Sequence, residues 1–148
     1  DGSAGWAKMM GQVQDDPSAA RKRKEDFERS FFRLFRHPEL YEVQALAEPK
    51  VIDGVSYSAA FVKSEMSRDW VLYFDAEGRL ARMDYASESP QGPAKMTEAW
   101  SDWRPVGPVQ YPHTTRMLLD GNPMMEATVT QARVNPELPE SLFKKPAP

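Results

Sequence analysis

The chain has no cysteine, which excludes disulfides, thiolate metal sites and cysteine nucleophiles together. It has two histidines, His37 and His113, distant from each other and outside any His-Glu-x-x-His or Asp/His grouping. Each reads as structural, His37 at a helix end and His113 in a strand. No Gly-x-Ser-x-Gly elbow, phosphate loop or dinucleotide fingerprint occurs. These absences argue against an enzyme, a metal site or a bound cofactor. There is no excess of positive charge: 19 basic residues stand against 22 acidic ones, for a net −3. Nucleic-acid binders concentrate basic charge on one face, so no nucleic-acid partner is expected. Apolar runs never reach the roughly 18 residues that a membrane-spanning helix needs. An initiating Met and a charged-then-apolar leader are also missing. The start at Asp1-Gly2-Ser3-Ala4-Gly5-Trp6 reads like the middle of a domain.

What is present fits one folded domain over residues 1–148. Apolar residues make up 41% and charged residues 28%, an ordinary balance for a chain with a real core. Thirteen prolines suit short strands with rigid corners. Eight methionines and four tryptophans supply an adaptable apolar surface, whether core or ligand groove.

Gly5 to Gln12 reads as a short strand. Asp16-Pro17 then starts a helix, with Asp as N-cap and Pro at the first helical position. The helix is expected to run unbroken from Ser18 to Arg36, because Phe27, Phe31, Leu34 and Phe35 fall at i, i+4, i+7 and i+8. Arg21 to Lys24 form a solvated basic face, with contact to anionic lipid as the other reading. Arg33 and Arg36 suit the last turn, and His37-Pro38 stops it. The acid pairs Asp15/Asp16 and Glu25/Asp26 serve capping and solubility.

From Leu40 onward the pattern is strands separated by turn chemistry. Asp53-Gly54 joins Tyr41–Lys50 to Val55–Lys63 as a hairpin. Trp70, Leu72 and Phe74 alternate with Val71, Tyr73 and Asp75, which is period two. Asp75-Ala76-Glu77-Gly78 turns the chain into Leu80–Tyr85, where Ala81, Met83 and Tyr85 alternate with Arg82 and Asp84. Ser87 to Pro93 reads as a polar loop. Strands follow at Met96–Arg104, Gln110–Leu119 and Met124–Val134, linked by Pro105-Val106-Gly107-Pro108 and Asp120-Gly121-Asn122-Pro123. A helical turn is expected at Pro139–Phe143. The fold class is therefore mainly β with one long helix: a curved antiparallel meander with the helix on its concave face.

The apolar set exceeds what a thin sheet and one helix need. Each member alone reads as core. As a set, Phe31, Phe35, Trp70, Leu72, Phe74, Met83, Tyr85, Trp100 and Met117 are the candidate ligand-binding residues, apolar walls with little hydrogen-bonding demand. Flexible Met suits a ligand of variable shape.

Several short stretches resemble the LolA/LolB-type lipoprotein-sorting family, some of whose members are attached to zinc-peptidase-like chains. Asp1-Gly2-Ser3-Ala4-Gly5-Trp6 is similar to the family's Asp-Gly…Gly-Trp strand, and Val51-Ile52-Asp53-Gly54-Val55 to its Val-x-Gly hairpin. Tyr73-Phe74-Asp75-Ala76-Glu77-Gly78-Arg79-Leu80 and Ser101-Asp102-Trp103-Arg104 follow in order, the latter ahead of Tyr111-Pro112-His113. Val134-Asn135-Pro136-Glu137-Leu138-Pro139 to Leu142-Phe143-Lys144-Lys145-Pro146 resembles the closing Asn-x-x-hydrophobic…Phe-x-x-Pro. Pro108 departs from the family by standing at a turn glycine. The resemblance implies an incomplete β-barrel that has lost its N-terminal strands and helix. It implies binding of lipid or lipoprotein acyl chains, in the bacterial periplasm or at the outer-membrane periphery. The alternative is an accessory protein-interaction domain of a peptidase-like envelope protein. Absent N-terminal strands would leave an open sheet edge, where a second copy or another chain is expected to pair.

Overall fold

The computed structural model describes residues 5–65, 70–89 and 91–145. Asp1 to Ala4, at the start of the Asp-Gly…Gly-Trp match, and Pro146, at the end of the closing one, lie outside the described residues. The chain divides into two compact units, one holding the residues up to Leu40 with Glu65 and the segment from Asn135, the other holding Tyr41–Ser64 and the segment from Trp70 to Val134.

The first unit opens on a hairpin of β1 (Trp6–Met9) and β2 (Gln12–Asp15). A lone strand was expected there. The chain reverses at Met10 and Gly11, both at positive φ (50° and 83°), as a two-residue hairpin turn of right-handed strands requires. The helix then begins at Pro17 as expected, but it is not one long helix: α1 is Pro17–Glu28 and α2 is Phe31–Arg36. The break falls at Ser30, whose extended backbone (φ −67°, ψ 123°) makes it the N-cap of α2. Its hydroxyl makes no capping bond, so the break rests on the low helix propensity of serine and on its extended backbone. Its carbonyl accepts from Arg33 and Leu34 N–H, both at 3.0 Å, to start the new helix. The aromatic stripe is consequently split. Leu34 is buried, whereas Phe27, Phe32 and Phe35 are exposed. α2 stops at Arg36 with His37 as C-cap, where the His-Pro step predicts it. A 3-10 turn at Glu140–Phe143 lies where the helical turn was expected. Lys145 Nζ, just beyond it, reaches Asp15 Oδ1 at 2.6 Å.

The second unit is an antiparallel sheet not closed into a barrel. Its strands are β3 (Glu42–Ala45), β4 (Lys50–Ile52), β5 (Val55–Lys63), β6 (Trp70–Phe74), β7 (Leu80–Ser89), β8 (Gly92–Val106), β9 (Val109–Leu119) and β10 (Asn122–Thr128). From β5 to β10 each strand pairs with the next, the expected meander, while β3 and β4 share the outer side of β5. The turns follow the sequence cues. Asp53-Gly54 and Asp120-Gly121 hold both central residues at positive φ. Between β6 and β7, Asp75 Oδ1 accepts from the N–H of Glu77 (3.0 Å) and of Arg79 (2.8 Å). The expected loop at Ser87–Pro93 is shorter than the composition implies. β7 and β8 stay paired out to Ser89 and Gly92, so polar residues there extend the ladder.

Candidate functional site

Directly opposed residues of an antiparallel pair project from the same face of the sheet. The register therefore assigns every strand residue to one of two faces. One row runs Val62, Trp70, Tyr85, Met96, Leu119 across β5 to β9. The next row on the same face runs Ala60, Leu72, Met83, Glu98, Met117, and ends on β10 at Met125. Two residues further along their strands come Phe74, opposite Ser58, and Trp100, opposite Thr115. All seven candidates within the sheet thus share one apolar face. Phe31 and Phe35 belong to the other unit, where Phe31 is half-buried and Phe35 is 68% exposed.

Burial across this face is graded. Trp70 (1% exposed), Leu72 (2%), Met83, Tyr85 and Met96 are buried, which makes their corner part of the core. Phe74, Trp100 and Met117 are only half-buried. Further residues of the face were not singled out in the sequence, among them Met96 and Glu98 on β8. No local alternation marks them, because β8 is interrupted by prolines and polar residues; the register alone brings them in.

Two polar features interrupt the apolar face. Tyr85 Oη donates to Glu98 Oε1 at 2.8 Å, holding a carboxylate beside Met83 and Met117. The indole N–H of Trp70 is buried with no acceptor. A buried donor left in that state costs roughly 1–3 kcal/mol. Tyr41 packs edge-on against this indole, with ring centroids 6.1 Å apart.

The opposite face is a charged ladder centred on Asp84. Its carboxylate accepts from Arg82 Nε (2.9 Å) and Thr97 Oγ1 (2.8 Å) on Oδ1, and from Tyr73 Oη (3.2 Å) and Lys95 Nζ (2.7 Å) on Oδ2. Burial acts to raise the Asp84 pKa, but the hydrogen bonds from Lys95, Arg82 and Thr97 and the Arg82 charge prevail and hold it below 3.8. Tyr73 is shifted upward, by burial first and by the Asp84 charge second. Farther along, Arg116 pairs with Glu126 across β9 and β10. The two faces therefore differ in kind, one apolar and one ionic.

At the sheet's outer side, every residue of β10 is exposed. The register slips between Pro123 and Met125, leaving Met124 as a bulge. A cleft of about 490 Å³ lies here, lined by Met117, Met124, Met125, Pro123 and neighbouring residues of β9 and β10. Of the candidates it takes in Met117 alone. The histidines hold local bonds: His37 Nδ1 lies 3.2 Å from Glu39 Oε1, and His113 Nδ1 lies 3.1 Å from the Tyr111 carbonyl. Among the described residues no group of three His, Asp or Glu side chains is placed to hold a metal ion.

The fold has a solved counterpart. A domain from Vibrio parahaemolyticus, provisionally described as an outer membrane lipoprotein-sorting protein domain, matches with a TM-score of 0.60 at 17% identity. The match covers 96% of this chain and 64% of that one, so the chain spans less than two thirds of its counterpart's length. No protein-family model and no curated protein matches the sequence. The chain shares the fold of that domain, in line with the sequence resemblance.

Proposed function

We propose that the chain binds a hydrophobic ligand, a lipid or a lipoprotein's acyl chain, on the half-open part of the sheet's apolar face, in the bacterial cell envelope. The observation that carries this reading is the grading of burial across one continuous face. Trp70, Leu72 and Met83 form a rigid floor, and Phe74, Trp100 and Met117 remain partly accessible beside it. An acyl chain needs contact area and little polar recognition, and aromatic rings with unbranched Met supply it for chains of varied shape. The description of the Vibrio parahaemolyticus domain as lipoprotein-sorting supports the same class of ligand. Nothing in the reading calls for catalysis.

The test is twofold. Native mass spectrometry of the protein purified without detergent should find co-purified lipid. A fluorescent fatty-acid analogue should bind to delipidated protein and be displaced by unlabelled fatty acid. Absence of both lipid and saturable probe binding sinks the proposal.

A second reading is favoured by β10. Its exposed Met124 and Met125 beside the cleft fit an accessory role, in which the sheet edge meets a peptidase-like envelope protein or a second copy of the chain. Sedimentation equilibrium distinguishes this case for the second copy. Self-association abolished by Met125→Lys would support it, and a monomer at every concentration would remove it.

A further inference from the structure

The segment from Arg21 to Arg36 holds seven basic residues against three acidic ones, a local net of +4 within a chain of net −3. Its carboxylates are engaged locally. Glu28 is buried against Arg33 (2.9 Å), Asp26 meets Arg29 (3.0 Å), and Glu25 lies near Arg21 (3.7 Å). Lys24 and Arg36 are exposed and pair with no carboxylate among the described residues. The positive charge of this surface is therefore not neutralised from within.

The same segment exposes aromatic rings. Phe32, Phe35 and Arg36 stand at i, i+3 and i+4, on one side of α2. Phe32 is 60% and Phe35 68% exposed, while Leu34 takes the buried side of the helix. Phe27, at the end of α1, is exposed too, with the Arg33 guanidinium 5.2 Å from its ring centre. α2 therefore turns its aromatic side outward, together with a cation. Rings that rest in the headgroup region, flanked by cations that meet lipid phosphate, define an interfacial helix. A protein partner of matching charge would satisfy the cations, but it would not call for three solvent-exposed phenylalanines among them.

We propose that the α1–α2 surface docks on an anionic phospholipid bilayer. Phe32 and Phe35 enter the headgroup–acyl boundary, and Arg36 and Lys24 meet phosphate groups. The docking surface lies in a different unit from the apolar sheet face, so it stands or falls separately from ligand binding.

Co-sedimentation of the whole chain with vesicles tests it. Binding is expected to phosphatidylglycerol-containing vesicles and not to pure phosphatidylcholine, and it should fall steeply as salt rises. The double variant Phe32→Ser/Phe35→Ser should weaken binding by roughly tenfold or more, from the loss of two buried rings. Lys24→Glu/Arg36→Glu should weaken it on anionic vesicles only. Equal binding to both vesicle types, no binding to either, or unchanged binding by both double variants overturns the proposal. All four side chains are exposed, so circular dichroism and melting should match the parent protein. Should the Phe variant misfold, the charge-reversal pair still decides the outcome.

Discussion

Replacing Asp84 by Asn keeps the side chain's shape and one acceptor oxygen but removes the charge that four donors converge on. Asp84 is 6% exposed. Breaking one partner of a buried ion pair costs about 3–5 kcal/mol, because the remaining charge stays desolvated. Two facts lower that figure here. The Lys95 side chain is 57% exposed, so water takes over most of its role, and its share falls to about 1 kcal/mol or less. The Arg82 side chain is 20% exposed and carries the rest. The expected loss at neutral pH is thus about 2–3 kcal/mol, or roughly 5–10 °C in Tm for a chain of this size. The sign with pH is fixed by linkage. The folded pKa of Asp84 lies below 3.8, so its contribution is fully present above the unfolded value. It fades as pH falls through the folded value. Urea unfolding of both proteins from neutral pH into the acid range should show a gap that is constant at the start and narrows at the bottom. Equal stability at neutral pH, or a gap that persists unchanged into strong acid, would refute the reasoning.

Leu72→Ala, at 2% exposure, should cost about 2–5 kcal/mol in urea unfolding. Met117→Ala, on the same row but half-buried, should cost well under half of that and instead weaken binding of the fatty-acid probe. Gly121→Ala has open space for its new methyl group but sits at φ +82°, so its cost of about 1 kcal/mol should come from backbone strain alone. Thermal melting reads that shift, and a neutral or stabilising result would contradict the turn geometry.

Much of the sheet was legible because its signals are local. Asp53-Gly54 and Asp120-Gly121 specify turns by the φ that Gly and Asp tolerate, and alternation in β6 and β7 assigned Trp70, Leu72, Phe74, Met83 and Tyr85 to one face. The hairpin at Met10-Gly11 was not legible, since Met carries no turn preference. The helix was misread for a related reason. Spacing of Phe27, Phe31, Leu34 and Phe35 satisfies a continuous helix, yet Ser30 interrupts it, and periodicity does not register a single capping residue. Met96 and Glu98 joined the candidate face only through the pairing of β8 with its neighbours, and no window along the chain contains that information. The Asp84 ladder is of the same kind: Arg82 and Asp84 read as the solvent side of β7, whereas Tyr73, Lys95 and Thr97 from its neighbours bury the carboxylate.

Brominated fatty acid, which quenches tryptophan at short range, tests the central claim most directly. Trp70 and Trp100 lie on the apolar face, so a Trp6→Phe/Trp103→Phe variant reports on that face through these two indoles. Saturable quenching of this variant, clearly reduced by adding Trp100→Phe, which leaves only the buried Trp70 as reporter, and competed by unbrominated fatty acid, is the predicted result. Undiminished emission at saturating brominated ligand, or quenching that survives Trp100→Phe unchanged, would contradict an acyl-binding site on this face.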